Sequence, residues 1–251
     1  MSVLASDFDN TLFFRNIEDG FKDEDLQAIH DFQNDGHLFG LCSGRPIAGL
    51  LHPLKNQIKP DFFIVSTGGL ILDRDYHILY AQSLSFEIAC RIYETYRNEI
   101  ELLVQTSSLD HVYMTNPLPD DQDVVAISSM EDMKGKEIYS FSLIQSTQER
   151  ANQITQQINE QYQEVDAYQN VDSIDIVCHG CSKGAAILKL KEFLGIDGIA
   201  GIGDSYNDLP MLNVVNTAFS FDYSPDEVKN QSDYVVSNIK EAIKILKEEI
   251  K

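Results

Sequence analysis

VLASDFDNTL, residues 3–12, is the stretch on which the fold turns. Val3, Leu4 and Ala5 read as a buried strand, and the DFDNTL that follows puts two carboxylates, Asp7 and Asp9, at its mouth. In extended backbone the side chains at i and i+2 face the same way, so both acids look in one direction. Two such charges ~4 Å apart repel by roughly 4 kcal/mol at an effective dielectric near 20. A bound cation would offset that repulsion. A solvated turn, which Asp and Asn both favour, is the plain alternative.

Outward from this point the chain alternates short apolar runs with amphipathic stretches. Strands are predicted over 3–8, 37–43 and 61–67, and helices over 23–34 and 46–56, with Pro46 suited to a first helical turn. The last third resumes the pattern: helices over 185–194, 209–215 and 238–251, and strands over 197–203, 217–221 and 233–237. Strands that are apolar throughout and separated by helices imply a parallel sheet covered on both faces. Between residues 81 and 175 the texture changes to helix, strands, strand, helix, strands, with helices over 85–100 and 147–162 and strands over 101–106, 111–115, 138–144, 165–171 and 173–178. The expected architecture is therefore an α/β, Rossmann-like core formed by 1–80 and 176–251, with an α+β cap inserted as 81–175. Insertions of this kind act as lids over active sites.

Composition narrows the function. The chain has 251 residues, 40 acidic and 19 basic, and a formal net charge of −21. That charge argues against binding nucleic acid or an anionic membrane surface. An anionic substrate would need a local attraction: a metal, a lysine, or backbone N–H groups at a helix start. No apolar run approaches ~18 residues and no basic leader with an apolar stretch opens the sequence, so a cytoplasmic protein is expected. Four cysteines, Cys42, Cys90, Cys178 and Cys181, are too few for a disulfide scaffold in a chain of this length. Nothing in the sequence points to a protein partner.

In a parallel sheet, ligands bind at the carboxyl ends of the strands. The unusual polar residues lie there: Asp7, Asp9, Asn10 and Thr11 after the first strand, Ser43-Gly44-Arg45 after the second, Ser182-Lys183-Gly184 at the helix that follows the insertion, and GDSYND, residues 203–208, after the next core strand. DFDNTL, CSGR (42–45), SKG (182–184) and GDSYND, in that order, resemble the four motifs of the haloacid dehalogenase superfamily of phosphotransferases. The insertion between the second and third motifs is similar to the Cof-like hydrolases with a type IIB cap, and GIGDSYNDLPML resembles that subfamily's most distinctive segment. The likeness runs through both ends of the chain, whereas the cap matches in pattern only.

The resemblance implies a Mg²⁺-dependent phosphatase acting on a small phosphorylated metabolite, a sugar phosphate or similar monoester. Asp7 would attack phosphorus, forming an aspartyl-phosphate; a carboxylate with a pKa near ~3.9 needs no base to activate it. Asp9 would protonate the departing alkoxide and later draw a proton from water. Asp7, Asp204 and the backbone carbonyl of Asp9 would hold Mg²⁺, an oxygen-seeking cation, with Asp208 supporting that shell. Ser43 and the N–H of Gly44 would hold phosphate oxygens, Lys183 would neutralise nucleophile and transferring group, and Thr11 and Asn207 would be further contacts. Arg45 is expected to face the phosphate or the cap.

Other readings remain in view. Within phosphoryl transfer the rival is a phosphomutase, and from another class a phosphometabolite-binding regulator without turnover; retention of Asp7, Asp9, Lys183 and Asp204 counts against the latter. Gly180-Cys181-Ser182-Lys183-Gly184 fits the G-x-S-x-G elbow of serine hydrolases, but that elbow needs a later histidine and all six histidines precede Ser182. Cys178-His179-Gly180-Cys181 is a C-x-x-C with no second Cys/His pair nearby to complete a zinc set. Two departures from the family fall on the substrate side: Thr67-Gly68-Gly69 stands where relatives carry Asn-Gly-Ala, and FSFDYSP follows the fourth motif in place of a small-residue segment. The cap carries 17 acidic and 5 basic residues, which favours a substrate whose remote part is neutral or cationic.

Overall fold

The computed structural model describes residues 1–55, 57–117 and 123–249. Its first part runs β1 (Val3–Ser6), α1 (Asp23–Asn34), β2 (Leu38–Cys42), α2 (Ile47–Leu54), β3 (Phe62–Val65), β4 (Leu70–Asp73) and β5 (Ile78–Ala81). The middle follows as α3 (Phe86–Tyr96), β6 (Glu101–Gln105), β7 (Val112–Met114), β8 (Val124–Ala126), β9 (Ser140–Ile144), α4 (Gln148–Gln161), β10 (Val165–Asn170) and β11 (Ser173–Cys178). The last part is α5 (Lys183–Leu194), β12 (Ala200–Ile202), α6 (Leu209–Leu212), β13 (Thr217–Phe221), α7 (Asp226–Asn230), β14 (Tyr234–Val236) and α8 (Ile239–Glu249). α2 ends at Leu54, short of the expected 56, and α8 is described through Glu249; Asn56, Ile250 and Lys251 lie outside the described residues.

Eight strands form one sheet in the order β14-β13-β12-β1-β2-β3-β4-β5. From β14 to β3 it is parallel, as expected; β4 and β5 add an antiparallel edge that the sequence pattern did not suggest. Strand alternation distributes the core over two faces. Leu4, Phe39, Leu41, Phe63 and Phe219 join Ile29, Phe32, Ile239 and Ile243 of α1 and α8 on one side. On the other, Val3, Ala5, Cys42, Phe62 and Ile64 meet Ile187, Leu190 and Met211 of α5 and α6. Two covered faces explain why these strands read as unbroken apolar runs.

The insertion forms a second sheet, ordered β10-β11-β9-β6-β7-β8, antiparallel except for the β7–β8 pair. One face buries Leu102, Val104, Phe141, Leu143, Ile174 and Ile176 against Ile88 and Ile92 of α3 and Ile154 and Ile158 of α4. The boundary expected between Asp175 and Ile176 falls inside β11, which pairs along its length with β9 and β10. No helix among the described residues is long and apolar enough to cross a membrane.

Candidate active site

Asp7 continues the ladder of β1, its N–H donating to the carbonyl of Ile202 at 2.9 Å. By alternation it shares a face with Val3 and Ala5, the face covered by α5. There it meets Lys183, the first residue of α5, whose Nζ lies 2.5 Å from Asp7 Oδ1 and 2.5 Å from Asp208 Oδ1. Lys183 is 1% exposed and sits at a helix start, where both burial and the helix dipole oppose a positive charge. The two carboxylates are what hold it there: burial pulls the lysine's pKa down, Asp208 and Asp7 push it up, and the net direction is up. Ser182, the serine of the apparent hydrolase elbow, spends its hydroxyl capping α5 by accepting the Ala185 N–H. Close packing fixes the lysine further, because a Cβ on Gly184 would collide with the Pro210 carbonyl of α6.

Asp208 belongs to the turn after β12. Its second oxygen accepts the N–H groups of Asp204 and Ser205 at 3.0 and 3.1 Å, which folds the GDSYND loop back over the strand end. Asp204 is thereby presented beside Asp7, and Thr11 donates to its Oδ1 at 3.1 Å. One oxygen from each of Asp7, Asp204 and Asp208 lies within 4.8 Å of the others. Burial and then Asp208 raise Asp7 well above the usual carboxylate range, and the same two causes push Asp204 up to about 7. In this enclosed cluster burial disfavours the charged form of Asp7, and Lys183 supplies part of the compensating positive charge. The donor set fits a divalent ion of the Mg²⁺ type, being all hard oxygen, with Asp7 Oδ2 and Asp204 Oδ2 accepting no hydrogen bond among the described residues.

Asp9 takes a different partner. Arg45 grips it through Nε to Oδ2 at 2.7 Å and through its terminal nitrogen to Oδ1 at 2.5 Å, and also donates to the Gly49 carbonyl at 3.0 Å. The guanidinium lies 5.1 and 5.6 Å from the ring centres of Phe8 and Phe13, which hold its plane. Arg45 is thus paired with Asp9 while lining the same cavity as Asp7 and Asp204, and the repulsion between Asp7 and Asp9 is offset by two separate cations. Ser43 is buried with its hydroxyl accepting the Arg45 N–H at 3.2 Å. Ser43, Gly44 and Asn207 all line the same cavity as Asp7, Asp9 and Asp204, and Asn207 Oδ1 is buried without a partner among the described residues.

Four residues at this site escaped the sequence reading or entered it only as an oddity. Gln105 of β6 donates to the Gly44 carbonyl at 3.0 Å and to Ser142 Oγ of β9 at 2.8 Å. Ser142 donates to Asp175 Oδ1 of β11 at 2.5 Å, and Thr67 donates to Asp175 Oδ2 at 2.8 Å. Burial raises the Asp175 pKa, while these two hydroxyls oppose the rise. Thr67 is held at a left-handed φ of 52°, a costly conformation for a β-branched residue, which explains the departure at 67–69 as a specific contact with the cap. The other departure braces the DFDNTL loop, as Tyr223 donates to the Asn10 carbonyl at 2.7 Å. Period-two alternation in the cap strands was the available signal for Gln105, Ser142 and Asp175, but it does not say which face meets the core. Cys178 and Cys181 are free thiols, and Cys178 Sγ accepts a hydrogen bond from Gln82.

The cavity between the two sheets measures about 800 Å³. Its floor is the set of strand-end residues just described, and its roof is the open face of the six-stranded sheet, including Glu101, Leu103, Ser142 and Asp175.

The family model for haloacid dehalogenase-like hydrolase matches residues 4–243. A 5-amino-6-(5-phospho-D-ribitylamino)uracil phosphatase of Bacillus subtilis is 21% identical, over 97% of this chain and 93% of that protein. Among solved structures, a haloacid dehalogenase-like hydrolase from Bacteroides thetaiotaomicron superposes with a TM-score of 0.81 at 19% identity, covering 98% of this chain and 99% of the other. A subclass IIB sugar phosphatase superposes with a TM-score of 0.76 at 18% identity, covering 99% and 98%.

Proposed function

We propose, from the premise that this chain belongs to the haloacid dehalogenase-like hydrolase family, that it is a Mg²⁺-dependent phosphatase which hydrolyses a small phosphorylated metabolite, a sugar phosphate or similar monoester, through an aspartyl-phosphate on Asp7. The observation that carries the reading is the convergence of Asp7, Lys183, Asp204 and Asp208, drawn from three distant parts of the chain, into one enclosed cluster.

Asp7, Asp204 and the backbone carbonyl of Asp9 would hold Mg²⁺, which when bound supplies positive charge to the transferring phosphoryl group. Lys183 pins one oxygen of Asp7 and so orients the carboxylate at the cavity floor while neutralising part of the charge that develops in the transition state. Asp208 acts as a positioning residue: it anchors Lys183 with one oxygen and the Asp204 loop with the other. Ser43 and the Gly44 N–H receive phosphate oxygens. Asp9 protonates the departing alkoxide and then takes a proton from the water that hydrolyses the aspartyl-phosphate. Arg45 engages both oxygens of Asp9 and so fixes the plane of its carboxyl group, leaving a second lone pair on each oxygen for proton exchange. An 800 Å³ cavity suits a ligand of metabolite size. Free thiols at all four cysteines support a reducing compartment such as the cytoplasm.

Turnover of an aryl phosphate, measured with and without Mg²⁺ and with Asp7→Asn, tests the reading. Wild type with Mg²⁺ should exceed both other conditions by at least about 10³-fold, the range lost when a covalent nucleophile is removed. Equal rates in all three conditions would overturn it, leaving a binding protein.

A further inference from the structure

We infer that the roof of the cavity selects a leaving group that presents hydrogen-bond donors, amines included, and carries no second anionic group. This deepens the phosphatase reading and rests on it.

Register places the roof residues in rows. Glu101 pairs with Ile144, which pairs with Ser173; Leu103 pairs with Ser142, which pairs with Asp175. These six share the face that alternation turns away from α3 and α4, and all line the cavity. Gln105 follows on the same face and is 1% exposed. Its amide orientation is settled by chemistry: the Gly44 carbonyl can only accept, so Nε2 faces it, and the second N–H goes to Ser142. Oε1 is then buried with no donor among the described residues, on a side chain that lines the cavity. A buried acceptor of this kind costs free energy until a ligand N–H or O–H reaches it.

Charge points the same way. Among the described residues, the six-stranded sheet and its turns contribute four carboxylates to the cavity lining, Glu101, Asp123, Asp172 and Asp175, and no Lys, Arg or His. Asp123 is paired with His52 of α2 at 2.7 Å, and Asp175 is occupied by Thr67 and Ser142. Glu101 and Asp172 have no ion-pair partner among the described residues. On the floor, Arg45 is committed to Asp9, and Arg15, three residues beyond the DFDNTL segment, is exposed and also lines the cavity. A second phosphate or carboxylate on the substrate would therefore face unpaired acids overhead, whereas an ammonium would pair with them.

A matched ring series tests this: glucosamine 6-phosphate, glucose 6-phosphate and glucose 1,6-bisphosphate. Binding is measured by calorimetry to the Asp7→Asn protein in Mg²⁺, so that it is read apart from turnover, and wild-type turnover is measured alongside. The amino sugar should bind at least as tightly as glucose 6-phosphate, and the bisphosphate about three- to tenfold more weakly than the amino sugar, the scale of partly exposed ion pairs. Glu101→Lys should close or invert that ratio; if it fails to fold, Glu101→Gln and Asp172→Asn should narrow it. Equal or tighter binding of the bisphosphate, a ratio unmoved by every folded variant, or no binding of any of the three would overturn the inference. If the binding order holds while wild type turns over neither these compounds nor an aryl phosphate, the phosphatase reading alone fails.

Discussion

Asp7 shares one lysine with Asp208 while Asp204 stands close by, so three carboxylates meet one buried cation. That excess of negative charge is tolerable to a metal-binding protein and costly to the same protein without its metal. Asp7→Asn should therefore be more heat-stable than wild type when a chelator is present, by about 1 kcal/mol or roughly 3 °C for a chain of this size, and saturating Mg²⁺ should erase the difference. Paired melting curves check this, and a variant less stable than wild type under chelation would contradict the electrostatic account. At this scale the sequence was informative wherever a residue type is rare in its setting: two acids at a strand end, a lysine at a helix start. Gln105 was not legible, because a glutamine in a strand of alternating polarity has the composition of an ordinary solvated face. Only tertiary contact with Gly44 gives it meaning.

The elements were predicted best where first-turn charge and packing agree. α1 spans Asp23–Asn34 as expected, opened by three acids that suit the positive end of its dipole. The β4–β5 edge was missed because two four-residue strands around a polar turn carry too little pattern to stand out from a loop. Asp25 shows how elements are joined: it is 1% exposed, accepts the Lys240 N–H at the start of α8 at 2.9 Å, and leaves Oδ2 without a partner. Burial raises its pKa despite that hydrogen bond. Since the folded pKa exceeds the unfolded one, the folded state holds the extra proton, and Asp25 weakens stability progressively as pH rises from the unfolded value through the folded one. Asp25→Asn, which keeps an acceptor for Lys240, should gain stability relative to wild type across that same rise above about pH 4. Melting temperatures of both proteins between pH 3.5 and 7 give the comparison, and a difference that shrinks with increasing pH would refute it.

At the scale of the molecule, alternating and then changing texture was enough to expect a parallel core with an inserted module; the chain forms an eight- and a six-stranded sheet, and the expected boundary after residue 175 lies inside a strand of the second. How the two sheets meet was not readable, since the contacts are made by polar residues from strands distant in sequence. Among the described residues, three side-chain contacts span the cavity: Gln105 to Gly44 at 3.0 Å, Thr67 to Asp175 at 2.8 Å and His52 to Asp123 at 2.7 Å. Thr67→Val removes one donor from a buried carboxylate and should cost about 1–3 kcal/mol, with an increase in the small-angle scattering radius as the sheets part. An unchanged melting temperature and radius would show that Thr67 does not hold the closed form. One more feature bears on how this architecture changes over time. The chain enters the six-stranded sheet beside Gln82 and leaves it beside His179, and the Gln82 side chain donates to the His179 carbonyl at 3.1 Å, tying the two crossings together. Departure and return at a single knot make the whole insert a cassette. A different insert could be spliced at those two neighbouring points while the carboxylates beneath keep their places, so new specificities can arise by exchange of the lid rather than by rebuilding the chemistry.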